Sequence, residues 1–352
     1  MNVICLSRMF RGLAASLLVF AAGVPPTLAQ QEYTVGQVPS LLVWSVAFAP
    51  DGRTFAAAQD NLVRLYDTAT GKLLRTIVSK SKEGAVARFE LSAYSPVPDM
   101  VMSLDFSPDG KLLAGGRSDA TVCLWKTTGT DAPAVLEAHE GQVRCSRFSP
   151  DGTLLATGSQ DDDVLLWDVT GRKVKTRLRG RGGWVECVAL STNGKLLASG
   201  CEDGTVRLWD VARGKEIRTL RTSEGSVKCV AFSPDNRVLL AGDDRNEIHI
   251  WDVGTGRNNG TLRGHTSRVS GVCVLRDNRT AISAGLGQTV RAWDLQRREQ
   301  IGLVRTPWQS TESMAVSPDQ KSILCGESWG AIQLIRVDRL LGRLPAESGS
   351  PP

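Results

Sequence analysis

Hydrophobic and polar residues alternate in a short phrase that recurs along most of the chain. In residues 204–210 the apolar side chains of Val206 and Leu208 fall on one side of an extended strand. Arg207 and Trp209 fall on the other side, and an acidic turn precedes the strand. The alternation predicts a half-buried β-strand that ends in Trp-Asp.

This phrase returns at an interval of 42 residues, with its aromatic position at Trp125, Trp167, Trp209, Trp251 and Trp293. A degenerate copy places Ile335 one interval after Trp293. An earlier copy ends in Tyr66-Asp67, 59 residues before Trp125, so 17 extra residues (59 − 42) separate the first two copies. A period of this length with a Trp-Asp ending indicates four strands in each repeat.

Two apolar columns accompany the tryptophan position, and we expect both to be core. Three residues before it stand Val63, Val122, Val164, Val206, Ile248, Val290 and Ile332. One residue before it stand Leu65, Leu124, Leu166, Leu208, Ile250, Ala292 and Leu334. The turn Pro50-Asp51-Gly52 and its later counterparts predict a hairpin between the first two strands of each repeat, because Pro presets φ and Gly accepts positive φ.

On these repeats the chain resembles the WD-repeat (WD40) β-propellers over residues 31–338. The resemblance implies an all-β fold, a single seven-bladed β-propeller with four-stranded antiparallel blades. Seven repeats of 42 residues need 294 of the 352 residues, so we expect no second domain. The expected organisation is a propeller over residues 30–338, a loop insertion between blades one and two at residues 79–99, and a flexible tail at residues 339–352.

The N-terminal strand is expected to close the ring. Residues 31–38 align with the fourth strand of a repeat, whereas the seventh repeat lacks an evident fourth strand of its own. If the N-terminal strand completes the last blade, closure removes the sheet edges that a linear array would expose.

Residues 1–29 have the composition of a secretory signal peptide. Arg8 and Arg11 give a basic start, residues 13–24 form an uncharged run of 12, and Ala29 stands where a signal peptidase would cleave. The alternative is an uncleaved membrane anchor, although 12 apolar residues are short for a span. We expect a secreted or periplasmic protein with no stable membrane span after cleavage.

The net charge and the cysteine pattern bear on the class of partner and on disulfide formation. Removing Arg8 and Arg11 lowers the formal charge from +5 to +3, which is too mild to favour a nucleic-acid partner. Of eight Cys, Cys5 belongs to the expected signal peptide, and seven remain. Cys145, Cys187 and Cys229 share one repeat column, which favours packing over disulfides. The odd number of Cys would also suit an intracellular scaffold in which residues 1–29 do not act as a signal peptide.

Several polar residues look catalytic but fall on structural positions of the resembled family. The resemblance implies a buried hydrogen-bond network in the third repeat, formed by His139, Thr157, Asp161 and Trp167. The fourth repeat keeps Asp203 and Trp209 but has Arg181 in place of the His. No nucleophile elbow or oxyanion motif accompanies the set, so we expect no catalytic residues and no enzyme activity.

Metal and cofactor signatures are also missing from the sequence. It has no CxxC, no HExxH and no phosphate-binding glycine loop that leads into a helix. His249 stands alone on a third strand, in a column with Arg64, Arg207 and Arg291. We therefore expect no metal and no cofactor.

By analogy with the family, a partner would bind at the mouth of the central channel. One position in each blade starts the first strand: Trp44, Met102, Arg144, Glu186, Lys228, Ser270 and Glu312. A second ring lies before the third strand: Gln59, Ser118, Gln160, Glu202, Asp244, Leu286 and Ser328. Trp184 and Trp308 lie in connecting loops, where they would either anchor a partner or pack locally.

The leading hypothesis is an exported, non-catalytic scaffold that binds a protein or peptide of unknown identity on its channel face. The alternative is a propeller enzyme or carbohydrate-binding module of the cell envelope. That alternative needs carboxylates at the channel mouth, and its candidates are Glu186, Glu312, Glu202 and Asp244. Fold alone does not decide between the two classes.

Overall fold

Each sequence repeat folds into one four-stranded antiparallel sheet, and seven such sheets form the computed structural model. The structure describes residues 33–35, 42–79, 100–222, 225–307 and 310–343. The expected signal peptide, nearly all of the inserted loop, Trp308 and residues 344–352 lie outside the described residues.

The four strand positions of the blades have nearly uniform bounds. The first strands are β2 (Val43–Phe48), β6 (Val101–Phe106), β10 (Val143–Phe148), β14 (Val185–Leu190), β18 (Val227–Phe232), β22 (Val269–Val274) and β26 (Thr311–Val316). The second strands are β3 (Thr54–Gln59), β7 (Leu112–Arg117), β11 (Leu154–Ser159), β15 (Leu196–Cys201), β19 (Val238–Asp243), β23 (Thr280–Gly285) and β27 (Ser322–Glu327).

The third strands end in the recurrent phrase, and the fourth strands lie at the periphery. The third strands are β4 (Leu62–Asp67), β8 (Thr121–Lys126), β12 (Asp163–Asp168), β16 (Thr205–Asp210), β20 (Glu247–Asp252), β24 (Thr289–Asp294) and β28 (Ile332–Arg336). The fourth strands are β5 (Leu73–Val78), β9 (Ala134–Glu137), β13 (Lys173–Arg179), β17 (Lys215–Arg221), β21 (Asn258–Arg263), β25 (Glu299–Arg305) and β1 (Tyr33–Val35).

The N-terminal strand completes the seventh blade. β1 pairs antiparallel with β28, and Thr34 lies opposite Gln333. The first strands contact one another in sequence, and β26 contacts β2, so the ring is closed. The predicted fold, a single seven-bladed β-propeller closed by its N-terminal strand, is confirmed.

The apolar columns form a core that joins neighbouring blades. Trp125 of the second blade packs in one cluster with Leu65 of the first, and Trp251 of the fifth packs with Leu208 of the fourth. All five recurrent tryptophans are buried. Each blade therefore stabilises the next by burying apolar surface that a single sheet would expose to water.

Close packing between the third and fourth blades also requires glycine at position 158 of β11. A Cβ atom added to Gly158 would lie 2.5 Å from Val185 Cγ1 and 2.7 Å from Cys145 Sγ. The small Cys145 side chain occupies the same tight contact, and all seven described cysteines are free. Burial raises the pKa of Cys145 to about 12, so this thiol is protonated and acts as a packing group.

Two stretches of the chain depart from the regular pattern of the blades. A single helical turn, α1 (Val337–Leu340), follows β28, and Leu340 is buried in the core of the last blades. Residues 339 and 340, which fall in the expected tail, belong to this helical turn. In the first blade, only Asp60 and Asn61 separate the second and third strands, whereas three residues do so in the second blade.

This shorter turn corrects the placement of Gln59. Counting back from the aromatic position puts Gln59 in the second ring, but Gln59 ends β3 opposite Val43 and is buried.

Among the described residues, no helix has the length and apolar character needed to cross a membrane.

Candidate binding face

The starts of the first strands and the ends of the second strands lie on one side of the ring. The pairing of Val143 with Ser159 shows this for the third blade, and the same register recurs in the other blades. We call this side the upper face, and the side that carries the Pro-Asp-Gly turns the lower face. Both rings expected from sequence lie at the upper face, where Gln59 is buried at the end of its strand.

A row of ion pairs crosses three neighbouring blades on the upper face. Arg144 Nη2 lies 3.0 Å from Glu186 Oε2, and Lys228 Nζ lies 2.9 Å from Glu186 Oε1. Burial opposes ionisation of Glu186, but the two cations outweigh it and hold the pKa of this carboxyl below its usual value. The three side chains therefore neutralise one another across the blades.

The remaining positions of the first ring are also engaged within the protein. Ser270 Oγ donates to the carbonyl oxygen of Thr311, and Glu312 accepts a bond of 2.8 Å from Arg268 Nη2. Met102 is buried and Trp44 is half-buried. Most polar side chains of this ring are therefore engaged in bonds within the protein.

An open polar cleft of about 390 Å³ lies between the fourth and fifth blades on the upper face. It is lined by Glu202, Ser226, Lys228, Asp244 and Arg245. Glu202, Asp244 and Arg245 are exposed, and the buried Ser226 Oγ has no hydrogen-bond partner among the described residues. The cleft therefore offers a hydroxyl and charges of both signs to a ligand.

Two exposed tryptophans lie on the upper face, and one of them adjoins this cleft. Trp184 is 42% exposed, and its carbonyl oxygen accepts a 2.9 Å hydrogen bond from the backbone N–H of Glu202, a cleft residue. Trp329, which the sequence interpretation missed, is 52% exposed. The sequence does mark this residue, because Trp329 stands in the repeat column that holds Asp161 and Asp203 in other blades.

The four members of the expected structural network come together in the third blade. His139 Nδ1 lies 2.8 Å from Asp161 Oδ2, and His139 Nε2 lies 2.8 Å from Thr157 Oγ1. Trp167 Nε1 donates to the same Thr157 oxygen at 2.8 Å. Because the Asp161 carboxylate can only accept, Nδ1 carries the shared proton; in the neutral ring Nε2 then accepts from the Thr157 hydroxyl, whose oxygen accepts from Trp167. These bonds satisfy the polar atoms of the four side chains and tie the segment before β10 to β11 and β12.

The hydrogen-bond network has fewer members in the fourth and sixth blades than in the third. Trp209 Nε1 donates to Ser199 Oγ at 2.9 Å, and Asp203 accepts from the N–H and hydroxyl of Thr205. In the sixth blade, His265 Nε2 lies 2.7 Å from Ser283 Oγ. Burial, assisted by Arg291, lowers the pKa of His265 to about 4. With no carboxylate at the other ring nitrogen, this imidazole is neutral at physiological pH.

The structure corrects the expectation that His249 stands alone. His249 Nε2 lies 2.9 Å from Asp243 Oδ2 and 3.8 Å from Glu247 Oε2. The ring of His249 stacks on Trp251 with centroids 5.5 Å apart. These three residues are the group among the described residues whose ligand atoms converge as a metal site requires.

The lower face holds a carboxyl that the sequence interpretation missed. Burial raises the pKa of Asp105 to about 6, although Arg147 and the N–H of Phe148 act against it. Asp105 and Arg147 interrupt a column of small residues: Ala47, Ala189, Ala231, Cys273 and Ala315. Because Phe148 N donates to Asp105 Oδ2 at 2.7 Å, this carboxyl ties the second blade to the third.

Comparison with known proteins gives the family. The model of the first β-propeller of IFT122 matches residues 97–336, and the model of the WD domain, G-beta repeat, matches residues 32–67. The WD repeat-containing protein VIP3 of Arabidopsis thaliana is 33% identical over 110 residues, which cover 31% of this chain and 33% of that protein. The match thus spans about a third of the relative. Such propellers generally act as scaffolds for protein interactions, and the chain belongs to the WD-repeat β-propeller family.

Proposed function

We propose that this protein is a non-catalytic scaffold that binds a protein or peptide partner on its upper face. The observation that carries the proposal is the exposed Trp184 beside the open polar cleft between the fourth and fifth blades. Interfaces draw most of their binding free energy from a few aromatic and Arg anchors surrounded by polar groups. Trp184, Trp329 and Arg245 supply such anchors on one face.

The rigidity of this face favours binding. The row formed by Arg144, Glu186 and Lys228 fixes the wall of the channel mouth before any partner arrives. A preorganised surface loses less conformational entropy on association than a flexible one. The same row makes charge reversal of Arg144 or Lys228 a poor test, because it would leave Glu186 without its cations and disturb the fold.

A sharper test removes the exposed aromatic side chains. Trp184→Ala combined with Trp329→Ala should abolish retention of the partner from the producing cells, with little change in melting temperature. Ile217→Ala is the matched control, since Ile217 is 51% exposed but lies on the peripheral strand β17. Partner retention by the Trp variant equal to that of wild type, or equal loss by the Ile217 control, would contradict the proposal.

Export is the second part of the proposal. The basic start and the apolar run of residues 1–29 support it, and these residues lie outside those that the structure describes. Intact-mass measurement of the protein from its own cells should give a chain that starts near Gln30. A mature chain that starts at Met1 would instead support the intracellular scaffold or the uncleaved anchor.

An envelope enzyme or carbohydrate-binding module is the alternative, and one observation favours it. Glu202 and Asp244 line the cleft and form no ion pair with other described residues, whereas Glu186 and Glu312 are both paired with cations. A carboxylate pair beside an exposed Trp would suit a sugar ring. Binding or turnover of a glycan that is lost in Glu202→Gln and Asp244→Asn would establish this alternative.

A further inference from the structure

We propose that Asp243, Glu247 and His249 of the fifth blade bind a divalent transition-metal ion such as Zn²⁺. The three residues end β19 and begin β20, so the tight turn between these strands brings them together. One ligand atom from each residue lies within 4.8 Å of the other two. Carboxylate oxygen and imidazole nitrogen are ligands that Zn²⁺ accepts readily.

The spacing of the three atoms suits a common ion. His249 Nε2 lies 2.9 Å from Asp243 Oδ2 and 3.8 Å from Glu247 Oε2. Ligands that surround Zn²⁺ tetrahedrally at about 2.0–2.1 Å are separated from one another by about 3.3 Å. The two observed separations lie on either side of that value. The longer one exceeds hydrogen-bond length, so the protein alone leaves Glu247 Oε2 aimed at His249 without a bond to it.

The other polar atom of each residue is held by a neighbour. Asp243 Oδ1 accepts the backbone N–H groups of Arg245 and Glu247 at 3.0 and 2.9 Å. Glu247 Oε1 accepts from Arg263 Nε at 2.8 Å, and His249 Nδ1 lies 3.5 Å from Thr261 Oγ1. Metal ligands are characteristically oriented by outer partners of this kind, which fix the free atom toward the ion.

Charge and access agree with a bound cation. Two carboxylates face one imidazole, and among the described residues Arg263 pairs with Glu247 but not with Asp243, so the negative charge of Asp243 favours a cation at this group. Asp243 and His249 are buried, while the Glu247 side chain is 21% exposed and gives a route from solvent. The fourth coordination position would be left to solvent on that side.

The other blades show that this combination is specific to the fifth. The position of His249 holds Arg64, Arg207 and Arg291 elsewhere, and the position of Glu247 holds Thr121, Asp163, Thr205 and Thr289. Both Glu247→Thr and His249→Arg therefore introduce residues that the fold already accommodates at the equivalent place. The matched control is Asp163→Thr, which removes a carboxylate from the same position of the third blade, where Leu165 replaces the imidazole.

The test is calorimetric titration of the full chain, stripped with chelator, with Zn²⁺ alone, together with metal analysis after dialysis. Wild type and Asp163→Thr should each bind about one equivalent and melt at a higher temperature with Zn²⁺. Glu247→Thr and His249→Arg should bind at least about tenfold more weakly, because loss of even an outer partner of a metal ligand costs about that much, while melting like wild type in chelator. Co²⁺ in place of Zn²⁺ should give a visible absorption band that only wild type and the control develop.

Two results would overturn the proposal. Folded wild-type protein that takes up no Zn²⁺ would show that the Asp243–His249 hydrogen bond is a purely structural contact. Equal affinity in wild type, Glu247→Thr and His249→Arg would place the ion elsewhere, for example at thiols. If either variant fails to fold in chelator, the other carries the comparison, since the two substitutions alter different strand positions.

Discussion

The side-chain amide of Gln59 donates a 2.9 Å hydrogen bond to the backbone carbonyl oxygen of Gly330. Gln59 ends a strand of the first blade, and Gly330 lies in a turn of the seventh, so a buried polar bond crosses the seam where the ring closes. Arg64 contacts the other amide atom, Gln59 Oε1. Both polar ends of Gln59 are therefore satisfied, one within its blade and one across the seam.

Shortening this side chain should weaken the seam. Gln59→Ser introduces the residue that the third blade carries at the same position, Ser159, but a Ser hydroxyl is too short to reach Gly330. The buried carbonyl would lose its partner, and we expect the free energy of unfolding to fall by about 1–3 kcal/mol. Urea unfolding measures this change. A loss below about 0.5 kcal/mol, the scale of ordinary surface substitutions, would show that the bond does not hold the seam.

Deleting the N-terminal strand should open the seventh blade, where β1 pairs with β28. Without residues 31–38, the edge of β28 would expose unpaired backbone groups that can pair with another chain. We expect a lower melting temperature and aggregation, observed by scanning calorimetry and light scattering. A deletion variant that remains a monomer and melts at the wild-type temperature would show that β1 is dispensable for closure.

The buried carboxyl of Glu327 should make stability fall as pH rises. Burial raises its pKa to about 7, despite the bond from Thr311, and Glu312 adds to the rise. A group whose pKa is raised on folding stabilises the protein fully below its unfolded value of about 4.5, and that contribution disappears as pH rises through 7. Glu327→Gln, which copies Gln59 of the first blade, should therefore gain up to about 3 kcal/mol relative to wild type above pH 7. Parallel pH–stability curves for the two proteins would refute this.

His265 should make stability rise with pH, which is opposite to the effect of Glu327, over an overlapping pH range. Its pKa falls from 6.5 to about 4 through burial, so the unfolded chain binds a proton that the folded chain does not. Stability from this group is present above pH 6.5 and is lost as pH falls toward 4, by about 3 kcal/mol at most.

The matched measurement compares acid unfolding of wild type with that of His265→Gln, in which no imidazole can titrate. We expect a flatter curve between pH 4 and 6.5 for the variant. Because the chain has three His, the imidazole signal of His265 can also be assigned by NMR through its loss in the variant. A signal that titrates near pH 6.5 would contradict the assigned environment.

The fold followed from the sequence because repetition places equivalent residues in equivalent environments. The 42-residue interval predicted the blades, and the position of His139 relative to Trp167 predicted its bonds to Asp161 and Thr157. Each depends on spacing within one repeat, and the local pairing of strands preserves that spacing.

The site was less predictable, because its distinctive residues depart from the repeat. The Asp243–His249 contact joins two positions that are each unusual in different columns, so neither column reveals it alone. The turn between β3 and β4 is one residue shorter than its counterpart in the second blade, so counting back from the aromatic position assigns Gln59 to the wrong repeat position. The exposure of Trp329 depends on what the neighbouring loops leave uncovered, which only the assembled ring determines.

The pairing of β1 with β28 also sets the order in which the protein can be built. Blades one to six can each fold from consecutive strands as they leave the ribosome, but Thr34 must wait for Gln333, about 300 residues later. Bringing such distant segments together is the slowest kind of contact to form. The last blade is therefore assembled only after β28 has been synthesised, and fraying of the three-residue strand β1 is a small opening from which the finished ring could begin to come apart.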